Sequence, residues 1–328
     1  MKTKLWLWIG AAALLIALVA GGLPLFSRLY YGRSQAATLL AWQLKKEAYT
    51  TEEAFQSYLE EERSLHTDPY VMPAGTRLSS FPAMEQLGGV DCYILNPSAR
   101  NRRIIVYFPG GSYIDDPRAV HWQFLDGLAG DSYSAVVVPF YPKLPDACAR
   151  DAYGALLVFY RELTEEYSTR ELIFMGDSAG GGMALSLAMQ LRDLGRPGPE
   201  KLILICPWLD VSLSNPEIPA YEKRDPALDS EQLRHLGALW AEGLSLTDPV
   251  VSPLYGSLED LGRITLLAGT DELLCPDILR LDGMLTDGGI DHDLLLAPGM
   301  FHVWPLYRYY RIPEAESAYR YILDRISG

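Results

Sequence analysis

Cysteine is scarce in this chain: Cys92, Cys148, Cys206 and Cys275 are four among 328 residues. None stands at CxxC or zinc-ligand spacing, so no metal centre and no dithiol redox pair is expected. Nothing in their positions favours one disulfide pairing over another, and Cys206, closing the run LILIC, has the setting of a small buried hydrophobe. Positive charge is also in short supply. Lys and Arg number 28 against 42 Asp and Glu, giving a formal net charge of −14 and a pI near 4.8. Such a surface repels phosphate backbones, which argues against nucleic acid as a partner. No internal repeat and no low-complexity segment is found. What is abundant is apolar material, 49% of the chain with 20 Tyr and 7 Trp, which suits a well-packed globular core and not a disordered chain.

The longest apolar run comes first. Leu5 to Phe26 reads LWLWIGAAALLIALVAGGLPLF, without a charge. At the helical rise, about 20 residues cross a hydrocarbon core of about 30 Å. Trp6 and Trp8 lie near one end, where indoles favour the headgroup region. A cleaved signal peptide has a shorter apolar core, and cleavage after Gly21 would put Val19 at the −3 position. The expectation is therefore a single-pass N-terminal anchor and juxtamembrane segment over residues 1–33, with secretion after cleavage as the alternative. Lys2 and Lys4 precede the run, which places the remainder of the chain outside the cytoplasm; Arg28 and Arg33 on the other flank oppose that orientation.

Residues 34–328 read as one domain. Gln35 to Glu62 is helical in pattern, with Ala37, Leu40 and Leu44 on one face and Phe55, Tyr58 and Leu59 on another. From about Val90 short apolar runs recur: VDCYIL, RIIVYF, AVVVP, LIFM, LILIC, ITLLA and LLLA. They are continuous and not alternating, as strands covered on both faces must be. Helical candidates lie between them at Ala119–Leu128, Ala147–Leu163, Gly180–Leu194 and Pro276–Leu285. This alternation implies an α/β fold, a mainly parallel central sheet flanked by helices. The stretch from Leu202 to Ile264 is too long for one crossover. Residues 210–249 are expected to form a helical insertion that, with residues 34–75, makes a helical cap.

The chemistry centres on Gly176-Asp177-Ser178-Ala179-Gly180-Gly181, which follows the strand LIFM and opens a helix. A serine on so tight a strand-to-helix turn is lifted above the sheet edge, and the flanking glycines avoid backbone collisions. A helix N-terminus behind it supplies free N–H groups and a partial positive charge. A hydroxyl needs a base to become nucleophilic, and that base needs a carboxylate to orient it. In this arrangement the acid and then the histidine follow the serine along the chain. Of five histidines, His66, His121 and His235 precede the acid position or lie in helical segments. His292 starts a strand, the wrong end for a site at the C-terminal edge of a parallel sheet. His302, in the loop after that strand, is the expected base. The acid is expected at Asp271, after ITLLA, with Asp277 next in order and Glu272 directed elsewhere. A developing oxyanion needs fixed donors. The Ala179 N–H is one, and the turn Pro109-Gly110-Gly111-Ser112-Tyr113, after RIIVYF, is placed to supply others.

From about residue 75 onward the chain resembles the hormone-sensitive-lipase-like branch of the α/β-hydrolases, which includes bacterial carboxylesterases and acetyl esterases. The resemblance rests on GDSAGG at Gly176, the turn at Pro109–Tyr113, DPVVSPLYG at Asp248, GTDELL at Gly269 and GMFHVWP at Gly299, in that order. It implies the α/β-hydrolase fold with a helical cap, hydrolysis of short-chain carboxylic esters, a small-molecule ester as substrate, and no cofactor. It implies Ser178 as nucleophile, Asp271 as acid, His302 as base, and oxyanion donors from Gly111, Ser112 and Ala179. Gly110, Tyr113 and Asp177 are the expected substrate contacts. The sequence departs from the family's His-Gly-Gly-Gly turn, with Pro109 in place of the histidine and Ser112 in place of the last glycine. Two other readings stay open at this point: a binding module that retains the scaffold without catalysis, and a hydrolase of amide or peptide bonds.

Overall fold

Strands form where the apolar runs predict them. A computed structural model describes residues 8, 21–44, 46, 49, 51–66, 70–79, 82–98, 103–167 and 171–328. Its eight strands are β1 Ala83–Leu87, β2 Val90–Leu95, β3 Arg103–Phe108, β4 Ala135–Pro139, β5 Glu171–Asp177, β6 Lys201–Ile205, β7 Arg263–Gly269 and β8 His292–Ala297. They make one sheet in the order β1-β2-β4-β3-β5-β6-β7-β8. Only the β1–β2 and β2–β4 pairs are antiparallel. β1 has no apolar run to announce it. Its exposure alternates along the strand, and the positive-φ pair Gly88-Gly89 folds it back on β2.

Both faces of the parallel strands are covered, which is why their sequences do not alternate. Along β3, Ile104, Val106 and Phe108 share one buried cluster with Leu156 and Phe159 of α4 (Ala149–Glu166), Leu185 of α5 (Ala179–Asp193) and Ile278 of α8 (Cys275–Asp287). Ile105 and Tyr107 face the other way, toward Trp122 of α3 (Ala119–Asp131) and Tyr319 and Ile322 of α9 (Pro313–Ser327). Burial of such side chains is worth about 1.5–3 kcal/mol each. Helix α9 was not among the predicted helices.

The predicted helix Gln35–Glu62 forms as two, α1 Gln35–Ala41 and α2 Glu52–Leu65. Each begins at a side-chain cap: Ser34 Oγ accepts from Ala37 N–H and Thr51 Oγ1 from Ala54 N–H, both at 3.2 Å. The 210–249 stretch contains α6 Ile218–Glu222 and α7 Ser230–Ala241. α2 meets α7 where the Phe55 ring lies 5.1 Å from His235. Most of the expected membrane anchor lies outside the described residues. Among the described residues no helix is long and apolar enough to cross a membrane.

Asp277, in the first turn of α8, is fully buried. Asn215 donates to its Oδ1 at 2.9 Å, while Oδ2 has no partner among the described residues. Burial pushes this carboxyl up to about 6. The folded state therefore holds a proton that the unfolded chain has released, and stability falls as pH rises from the ordinary carboxylate range to about 6. Asp277→Asn is expected to raise the melting temperature at pH 8, with a gain of roughly 1–3 kcal/mol. That gain should shrink toward zero near pH 4, as thermal unfolding followed by circular dichroism would report.

Candidate active site

Parallel pairing brings the C-terminal ends of β3, β5, β6, β7 and β8 to one edge of the sheet. Ser178 sits there between β5 and α5 at φ 54°, ψ −125°. That conformation is uphill for a residue with a Cβ. Hydrogen bonds hold it: Ser178 N–H donates to Ile205 O at 2.9 Å, and Ser178 O accepts from Trp208 N–H at 2.8 Å. The glycines around it are steric necessities. A Cβ on Gly180 would lie 1.9 Å from Phe108 O, and one on Gly176 would lie 2.3 Å from Gly180 O. Helix α5 is thereby pressed against the end of β3, which carries the next turn.

That turn is a run of left-handed backbone: Gly111 at φ 137°, Ser112 at 53°, Tyr113 at 63°. Gly111 O accepts from Ile114 and Asp115 N–H. Neither the Gly111 nor the Ser112 N–H has an acceptor among the described residues. Asp177 holds the turn from beneath. Its Oδ1 accepts from the Tyr107 hydroxyl at 2.7 Å and from Gly110 N–H at 2.9 Å; its Oδ2 lies 3.3 Å from His121 Nε2. His121 Nδ1 accepts from Arg118 N–H at 3.0 Å, so Nε2 carries the proton given to Asp177. Burial works to raise the Asp177 carboxyl, but His121, Tyr107 and Gly110 outweigh it and leave the group below its ordinary value.

Three expectations change here. Asp177 and Gly110 line the cavity at Ser178, but the carboxylate and the Gly110 N–H are engaged with each other and not free for a ligand. Tyr113 does not line that cavity. Its ring is buried, stacked 4.2 Å from Trp240 and 5.4 Å from Trp208, and it anchors the turn to the insertion. His121, set aside as a helical residue, takes part in the site by holding Asp177.

The acid is the main correction. His302 Nδ1 lies 2.7 Å from Glu272 Oε2, not against Asp271, and Glu272 is fully buried. The reason is the turn after β7. The Asp271 N–H is tied to Met300 O at 2.9 Å, and the Asp271 carboxylate faces outward, 3.6 Å from the Arg33 guanidinium. The longer Glu272 side chain folds back under the turn, where Oε1 accepts from Gly269 N–H at 2.8 Å. Asp277, second in the sequence ranking, bonds Asn215 instead. In an Asp-Glu pair the sequence offers no signal for which carboxylate turns inward; only the backbone direction at Gly269 decides.

Ser178, His302, Gly110, Gly111, Ser112 and Asp177 line one cavity of about 70 Å³. With Nδ1 facing a carboxylate, His302 Nε2 is left as an acceptor. Burial alone would lower the imidazole pKa, but Glu272, then Asp225 and Asp177, reverse this and raise it. Asp225 is fixed in turn by the N–H groups of Ala227, Leu228 and Leu273. Among the described residues one trio has metal-ligand chemistry, Cys206, Glu272 and His302, with ligand atoms within 4.8 Å of one another. Two of its members already bond each other.

A strained serine at a strand-to-helix turn, a buried histidine–carboxylate pair and a donor-lined turn together define a serine hydrolase. The match to known proteins agrees. Residues 105–306 fit a family model described as alpha/beta hydrolase fold, and the chain belongs to that family. An acetyl-hydrolase of Streptomyces hygroscopicus is 28% identical over 214 residues, covering 65% of this chain and 72% of that protein. A Staphylococcus aureus protein assigned as an esterase superposes with a TM-score of 0.78 at 26% identity, covering 85% of this chain and 94% of the other. A hormone-sensitive lipase from a metagenome library gives 0.72 at 25% identity, covering 89% and 96%. The chain thus falls in the hormone-sensitive-lipase-like branch.

The His302 imidazole is expected to titrate above 6.5 by NMR, because its charged form gains Glu272. Glu272→Gln should lower that value, and Asp271→Asn should lower it much less. An equal response to both substitutions would refute the pairing.

Proposed function

We propose that the protein hydrolyses carboxylic esters through Ser178, His302 and Glu272, by way of an acyl-enzyme. The observation that carries this reading is the 2.7 Å bond from buried Glu272 to His302, which lines the same cavity as Ser178. Ser178 Oγ attacks the acyl carbonyl while His302 Nε2 takes its proton. The Glu272 carboxylate keeps the imidazole in the Nδ1–H tautomer and offsets the charge that forms. The carbonyl oxygen becomes an oxyanion facing the N–H groups of Gly111, Ser112 and Ala179. His302 then gives the proton to the departing alcohol. Water, activated by the same imidazole, attacks the acyl-enzyme and releases the acid.

The small cavity at Ser178 supports a short acyl chain, as does the likeness to an acetyl-hydrolase. In the proposed reading Pro109 does not cost the oxyanion turn its shape, because Asp177, His121 and Tyr107 hold it from below. The uncharged run Leu5–Phe26 supports a membrane tether for the domain, with the catalytic part outside the cytoplasm. N-terminal sequencing of the mature protein separates a retained anchor from a cleaved leader.

Ser178→Ala should abolish both turnover of a p-nitrophenyl ester and labelling by a fluorophosphonate. Glu272→Gln should lower kcat by roughly 10³–10⁴, the scale of a lost orienting carboxylate. Asp271→Asn should cost less than about tenfold, since its carboxylate does not reach the imidazole. A series of p-nitrophenyl esters should peak at two to about four acyl carbons. Full turnover by the Ser178 variant would remove the serine mechanism altogether.

A further inference from the structure

Arg33 stands immediately before the cap helices and far in sequence from the site, yet it is only 5% exposed. Its Nη1 donates to Gly299 O at 2.8 Å and lies 3.6 Å from Asp271 Oδ2. Nε reaches Thr38 Oγ1 at 3.4 Å, and the guanidinium lies 4.6 Å from the Tyr31 ring centroid and 5.9 Å from that of Phe301. One side chain therefore touches both active-site turns: the one bearing Glu272, through Asp271, and the one bearing His302, through Gly299 and Phe301.

These turns are already stitched together. Asp271 N–H donates to Met300 O at 2.9 Å, and Gly299 N–H to Thr270 Oγ1 at 2.8 Å. Arg33 closes the stitch in a second cavity, lined by Tyr31, Lys223, Arg224, Asp271 and Gly299 and not by Ser178. The approach is tight: a Cβ on Gly299 would lie 1.9 Å from Tyr31 O. A buried guanidinium is costly unless paired, so these contacts are coupled and not incidental.

We propose that Arg33 is a positioning residue for the histidine–carboxylate pair, so that the segment leading out of the apolar N-terminal run is a working part of the active site. The proposal rests on the triad reading above. Asp271, on this view, serves as the partner of Arg33 and not of His302. Loss of Arg33 lets the two turns move apart, which lengthens the His302–Glu272 bond. The side chain does not line the cavity at Ser178, so its loss is expected to act on the chemical step and not on binding.

The test uses the full-length chain in detergent, with a p-nitrophenyl ester. Arg33→Ala is expected to lower kcat by about tenfold to a hundredfold, the scale of a slight misplacement of reacting groups, with KM within about twofold. The acid limb of the kcat–pH profile should move to lower pH, because a loosened Glu272 no longer raises the His302 pKa. Arg33→Lys, which keeps charge but not the forked donors, should fall between the alanine variant and the native protein. Activity is normalised to folded protein by circular dichroism. An unchanged kcat, or a loss that follows folded fraction alone with the acid limb unmoved, overturns the proposal. If the alanine variant does not fold, the lysine variant decides: a severalfold lower kcat with a shifted limb supports it, and native values refute it. Turnover retained by Ser178→Ala in the same preparation would instead strike the triad reading itself.

Discussion

Ser178 stands at φ 54° because the chain must turn from β5 into α5 without room for a gradual bend. That strain, of order 1–3 kcal/mol, persists only where the surroundings overdetermine it. Here they do. Gly176 and Gly180 allow α5 to lie against the ends of β5 and β3, with no space for a methyl group at either position. The backbone of Ser178 is then bonded to Ile205 and Trp208, at the end of β6. Two neighbouring strands thus fix the hydroxyl before any catalytic partner is considered.

The turn at Pro109–Tyr113 is held from a neighbouring element. Pro109 opens this turn, and the group that holds it is Asp177, the residue before the serine. Its carboxylate joins Tyr107 from β3, Gly110 from the turn and His121 from α3. The serine and the turn therefore share one anchor. Tyr113, stacked between Trp208 and Trp240, ties the same turn to the insertion above it.

On the opposite side the imidazole is set by turns from β7 and β8 that bond to each other. The two adjacent carboxylates of the β7 turn face in opposite directions, Glu272 inward to His302 and Asp271 outward to Arg33. Tyr31 and Arg33 are packed against this side. Arg33, at the end of the expected juxtamembrane segment, supplies a buried cation behind the site.

The strands β2 to β8, the helices between most of them, the serine at a strand-to-helix turn and the loop histidine were legible in the sequence. Each depends on local pattern: continuous apolar runs for doubly covered strands, glycines flanking a serine, a histidine past the end of a strand. β1 was not legible, since an edge strand needs only half its residues buried; its one signal was Gly88-Gly89. Which carboxylate meets His302 was decided by tertiary structure alone. The direction of the backbone leaving Gly269, fixed by contact with Met300, turns residue 272 in and residue 271 out, and no local preference distinguishes Asp-Glu from Glu-Asp. The burial of Tyr113, the recruitment of His121 and the reach of Arg33 to Gly299 were likewise set by packing between distant segments, which the residues themselves do not encode singly.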